Sequence, residues 1–103
     1  MNQLAGVVTI TSREGKADEL AALLSKMHSE AVNDDGCDLY SVVRLDRDPD
    51  TFVLVEFYRD QQSLEAHQQN PALRALGATM SELVAAMSIK LGSSVAGDVA
   101  RRG

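Results

Sequence analysis

Apolar positions along this chain change their period several times, and each change marks an element. Leu4 to Ser12, LAGVVTITS, is short and rich in β-branched residues, as a strand requires. After the polar turn Arg13 to Lys16, the apolar residues Leu20, Leu23, Leu24, Met27 and Ala31 recur every three or four positions. That spacing predicts an amphipathic helix over Ala17 to Asn33, closed by Asp34, Asp35 and Gly36. Cys37 to Leu45 predicts a second strand, and Thr51 to Tyr58 a third. The turn cluster DRDPD between them makes a hairpin. Asp60 suits the N-cap of a short helix over Gln61 to Gln69. Asn70 and Pro71 suit the cap and first position of the next. There Leu73, Leu76, Met80, Leu83, Val84 and Met87 form one stripe, which predicts a helix reaching Met87. Ser88 to Val99 reads as a last strand with a frayed exit, the tail covering about residues 97–103.

The order β-α-β-β-α-β predicts an α+β fold of ferredoxin-like type, one domain over residues 1–103, with helices on one face of an antiparallel sheet. The third strand adds a complication. Its two faces, Phe52/Leu54/Glu56/Tyr58 and Val53/Val55/Phe57, are both apolar apart from Glu56. A sheet covered on one side only should alternate apolar with polar residues. The second face therefore predicts a cover, and a second copy of the same sheet supplies one, giving a homodimer through the sheet face.

Composition narrows the function classes. With 45% hydrophobic and 24% charged residues the chain is too apolar for disorder. The net charge of −5 and the lack of clustered Lys and Arg disfavour nucleic acid as a partner. No apolar run approaches the about 20 residues that span a bilayer, and no secretory signal opens the sequence. A cytoplasmic protein is the expectation. Cys37 is the one cysteine, so no internal disulfide forms, and with only His28 and His67 beside it no metal site is expected.

Four stretches together resemble one family. REGKADELAALL is similar to a basic turn and helix. DDGCDLYSVVR is similar to a Pro-Gly-Cys-x-x-Tyr turn and strand. DPDTFVLVEFYRDQQSLEAH is similar to a strand ending in Glu-x-Trp, followed by Asp, a short helix and His. The fourth stretch is the Asn-Pro restart after that histidine. In this order they resemble the antibiotic biosynthesis monooxygenase domain superfamily over roughly Val7 to Leu91. The resemblance implies a dimeric α/β barrel. It also implies, among several activities, oxidation of phenols or quinols without metal or flavin.

Carried residue by residue, the resemblance puts His67 at a pocket-lining histidine, Tyr58 at the usual Trp and Tyr40 at the strand-two tyrosine. Glu56 is the acid of the Glu-x-Trp pattern. The haem-degrading branch needs Asn, Trp and His where this chain has Val8, Tyr58 and Gly77, so that branch is disfavoured.

The physical reading of the same residues keeps alternatives open. A histidine beside an apolar cleft can serve as a base near neutral pH, or sit on a wet helix face. Glu56 is costly to bury alone, so it orients His67, relays a proton or pairs with Arg44 or Arg59. Tyr58 can stack on a planar ring and donate a hydrogen bond. The expected catalytic set is His67, Tyr58 and Glu56, with Val8, Ile10, Tyr40, Leu64, Leu73 and Leu76 against a small aromatic or quinol-like ligand. The expected function is a cofactor-independent monooxygenase. A non-catalytic dimeric binding protein and a small-molecule isomerase of the same fold are the alternatives.

Overall fold

A computed structural model of the chain describes residues 3–97, 99 and 100. The elements are β1 (Leu4–Ser12), α1 (Ala17–Ala31), β2 (Cys37–Leu45), β3 (Asp48–Tyr58), α2 (Gln61–Gln69), α3 (Pro71–Gly77), a 3₁₀ turn (Met80–Glu82) and β4 (Val84–Ser93). All strand pairs are antiparallel, in the order β2-β3-β1-β4. This is the expected ferredoxin-like α+β arrangement. The expected cap residues act as such. Asp60 Oδ1 accepts from Ser63 N at 2.8 Å, and Asn70 Oδ1 accepts from Ala72 N and Leu73 N.

Two expectations are corrected. The third strand begins at Asp48 rather than Thr51, so Pro49 lies within β3 and the turn is reduced to Asp46 and Arg47. The helix predicted to reach Met87 stops at Gly77, and the last strand begins at Val84 rather than Ser88. Glycine is among the weakest helix formers, and the chain turns where Thr79 Oγ1 donates to Leu76 O at 2.8 Å. The upper half of β1 also requires a ladder partner. Val84, Ala86 and Met87 supply it by pairing with Ser12, Thr11 and Ile10. Arg13 fastens the turn, its N–H on Leu83 O and its guanidinium on Ser81 O. The apolar stripe was thus divided between a helix, a turn and a strand, and Met80 and Leu83 still pack against the core.

Leu20, Leu24 and Leu23 of α1, Leu64 of α2 and Leu73 of α3 close over Val8, Ile10, Tyr40, Phe52, Leu54 and Tyr58 of the sheet. On β3, alternate residues Phe52, Leu54, Glu56 and Tyr58 are buried beneath the helices. The opposite sheet face is open. Val53, Val55 and Phe57 are half-buried there, and Val7 and Val43 are 45% and 44% exposed. Beyond β4, Val99 is held by Gln3: Val99 N donates to Gln3 Oε1 at 2.8 Å, and Gln3 Nε2 donates to Val99 O at 2.9 Å. Of the expected frayed tail, residues 98 and 101–103 lie outside the described residues.

Candidate functional site

The alternation of β3 sets Glu56 and Tyr58 side by side on the helix-facing surface, and α2 brings His67 down onto them. The Tyr58 hydroxyl donates to Glu56 Oε1 at 2.5 Å. His67 Nε2 lies 3.3 Å from the same oxygen, and the Tyr58 and His67 rings are 5.0 Å apart. Glu56 Oε2 approaches β1 where Gly6 stands. A Cβ at that position would sit 3.1 Å from the carboxylate oxygen, so glycine makes room for the acid. The expected catalytic trio is therefore one contiguous group. Neither arginine pairs with Glu56: Arg44 bonds to Asp18 and Pro49, and Arg59 pairs with Asp35 and Asp38.

A fourth member was not foreseen. Asp34, read in the sequence only as part of a helix stop, accepts from Asn70 Nδ2 at 2.8 Å and lies 3.2 Å from His67 Nδ1. One carboxylate thus fixes the imidazole and the junction of α2 with α3. No local spacing reveals this, since the partners are more than thirty positions apart. The nearest signal is the adjoining Gly36, whose φ of +87° announces a demanding turn.

The imidazole has a carboxylate at each nitrogen. Burial opposes its charge, but the hydrogen bonds and negative charges of Glu56 and Asp34 outweigh burial, so His67 titrates above its ordinary value. Tyr58 is raised far above its ordinary range by burial and by the charge and hydrogen bond of Glu56, so it remains a donor. Tyr40 is also raised, by burial first and then by the charge of Glu56.

The His67 shift has a consequence for stability. Its folded value exceeds the unfolded one of about 6.5. Its charged form then stabilises the fold fully below about pH 6.5, and that contribution is lost as pH rises through the folded value. Urea midpoints should fall across that rise. The His67→Gln variant should lose this part of the slope; an identical profile in the variant would remove the linkage.

A cleft of about 270 Å³ opens above this group. Of the residues expected to touch a ligand, Val8, Leu64 and Leu73 line it. Ile10 is 1% exposed and sits in the core, Leu76 is half-buried on α3 away from the cleft, and Tyr40 backs His67 at a ring distance of 6.1 Å. The cleft also uses Gln68, Arg74, Ile89 and Leu91, which sequence reasoning missed. The last two belong to β4, whose start was misplaced. Among the described residues no cluster of three or more His, Cys, Asp or Glu is arranged to hold a metal ion, and no helix is long and apolar enough to cross a membrane.

No curated protein matches the chain by sequence. Solved structures do. A Pseudomonas aeruginosa protein superposes with a TM-score of 0.87 at 24% identity, covering 93% of this chain and 97% of its own. A Mycobacterium tuberculosis protein gives 0.85 at 23%, covering 92% and 97%. A Chloroflexus aurantiacus protein named for an antibiotic biosynthesis monooxygenase gives 0.77 at 25%, covering 92% and 96%. The first two likenesses speak for the fold alone. The sequence itself matches the family model "Antibiotic biosynthesis monooxygenase" over residues 4–79, which takes in β1 through α3 and every member of the Glu56–His67–Asp34 group. On that match the chain belongs to the antibiotic biosynthesis monooxygenase family.

Proposed function

We propose that the protein oxidises a small phenol or quinol with O₂ in the cleft over Glu56, without metal or flavin. The observation that carries this reading is the acid–imidazole–acid array, with Glu56 buried and His67 and Asp34 half-buried, beside Tyr58 at the floor of a largely apolar cleft. With His67 charged, two carboxylates face one cation, so the group holds one uncompensated negative charge. It can therefore take up one proton. The phenolic proton of a bound substrate is the natural donor, and Glu56 lies in the cleft lining to receive it.

His67 and Asp34 then hold the charge balance and the geometry. Tyr58 is buried beneath the cleft, its ring against His67 and its hydroxyl fixing Glu56. The resulting phenolate is electron-rich enough to reduce O₂ itself. In balance, a phenol plus O₂ yields a quinone plus water, one oxygen atom staying on carbon and the other leaving as water, whereas a quinol plus O₂ yields its quinone plus hydrogen peroxide, O₂ taking the two electrons and two protons. Val8, Leu64, Leu73 and Leu91 keep the cleft apolar, which favours this chemistry over release of a charged intermediate.

Oxygen uptake with menadiol-type quinols tests the reading, against the rate of uncatalysed autoxidation. Saturable uptake with quinone as product is expected. Uptake no faster than autoxidation across a panel of phenols and quinols would return the cleft to the binding or isomerase readings.

The open sheet face supports a homodimer. Val7, Val43, Val53, Val55 and Phe57 form a continuous apolar surface that a second copy of the sheet would cover. Light scattering behind size exclusion should give about twice the chain mass at micromolar concentration, and Val55→Lys should shift it toward the monomer. A wild-type monomer would refute the sheet-to-sheet assembly.

A further inference from the structure

A second cleft lies on the far side of Tyr40, between α1 and the outer half of the β2–β3 hairpin. It has a volume of about 440 Å³, is lined by Ser25, His28, Tyr40, Val42, Arg44 and Phe52 among others, and shares no lining residue with the cleft over Glu56. Its volume falls in the range of small-molecule sites. Two of its side chains are held in place with hydrogen-bonding capacity left over.

Arg44 is the first. Its guanidinium lies over the Phe52 ring at 5.4 Å, Nε donates to Pro49 O at 2.6 Å, and Nη1 donates to Asp18 Oδ1 at 3.0 Å. Nη2 has no partner among the described residues. Asp18 offsets some of the charge, but its side chain is 95% exposed, so water screens it strongly.

Tyr40 is the second. It is 5% exposed, its ring is tilted against His28 at 6.0 Å, and its hydroxyl makes no hydrogen bond among the described residues. The hydroxyl reaches the cleft, where it is free to donate. A ligand oxygen would satisfy it.

Tyr40 and Arg44 are four residues apart on one face of β2, so their Cα atoms are separated by about 13 Å. That separation leaves room between the two side chains for one ring with a polar atom at each end. Val42 lies between them on the same face.

We propose that this cleft is a second ligand site. It takes a small aromatic carboxylate with an oxygen at its far end, of the 4-hydroxybenzoate kind. The carboxylate meets Arg44 Nη2, the ring lies along Val42, and the far oxygen accepts from the Tyr40 hydroxyl. The proposal does not depend on the oxidation chemistry: the two clefts share no lining residue, although Tyr40 packs against His67 on one side and His28 on the other.

Titration of the ¹⁵N-labelled protein with 4-hydroxybenzoate, and with benzoate in parallel, tests it. Saturable shifts are expected at His28 and at the Arg44 side chain with a common dissociation constant, and tighter binding of 4-hydroxybenzoate. Arg44→Met should weaken both ligands by about tenfold. Tyr40→Phe keeps the ring and should erase the preference for 4-hydroxybenzoate while leaving benzoate binding intact. The proposal is overturned by non-saturating shifts, by an Arg44→Met protein that binds as the wild type does, or by shifts centred on His67 instead of His28.

Discussion

Replacing Glu56 by glutamine should reduce turnover of any quinol the wild-type protein oxidises by about 10²- to 10⁴-fold, the usual contribution of a positioned base. The substitution keeps the shape of the side chain and an oxygen that can accept from Tyr58. What it removes is the negative charge that His67 faces and the place where the substrate's proton would go. It therefore carries a second readout that needs no substrate. With Glu56 neutral, His67 keeps only Asp34 as a counter-charge, and its titration should move down toward the ordinary histidine value. The His67 ring protons report this directly by NMR. A Glu56→Gln protein with wild-type turnover would remove the acid from the reaction. Unchanged titration of His67 would instead show that the two groups are not coupled, which separates a failed mechanism from a failed geometry.

The largest loss of stability is expected at Gly36, outside the cleft. Its φ of +87° lies in the left-handed region, which costs a residue with a side chain about 1–3 kcal/mol. A Cβ there would also overlap the Ser63 Oγ on α2. Ser63 cannot move freely, because its N–H and its hydroxyl both donate to Asp60 Oδ1, at 2.8 and 2.7 Å. Crowding of this kind adds about 1–3 kcal/mol. Gly36→Ala should therefore lose about 3 kcal/mol in urea unfolding, and Gly36→Ala combined with Ser63→Gly should recover the steric part while leaving the backbone part. A loss under about 0.5 kcal/mol, the range of an ordinary surface substitution, would contradict both contributions. The same turn carries Asp34, so a partly folded Gly36→Ala protein should also show a weakened hold on His67.

How far the sequence reached depended on the range of the interaction being read. Strand composition, helix periodicity and capping are local, and β1, α1, Asp60, Asn70 and Pro71 stood where local patterns placed them, while the hairpin formed with a turn shorter than the DRDPD cluster suggested. Glu56, Tyr58 and His67 were grouped by the family resemblance, which one continuous stretch of sequence carries, from the strand pair to the histidine of the next helix. Asp34 could not be grouped, because nothing in a helix-stop motif says which distant imidazole it will meet. The stripe from Leu73 to Met87 failed for a related reason. A periodic run of apolar residues records that they are buried, not which element buries them, and the demand of β1 for a ladder partner lay at the opposite end of the chain. Ile89 and Leu91 were missed as cleft walls along with it.

The strand order has a kinetic meaning of its own. β1 is the earliest strand in the sequence yet occupies an inner position, with β3 on one side and β4 on the other. Its pairing with β4 joins Leu4 to Ser93 across almost the whole chain. Loops that long close slowly, and folds dominated by such pairings fold more slowly than helical ones of equal size. During synthesis β1 emerges first and must wait, with one edge unmatched, until the last strand leaves the ribosome. The β2–β3 hairpin can form in the meantime and hold β1 by its other edge. The seam between β1 and β4, which also forms one wall of the cleft, is then the last part of the sheet to close.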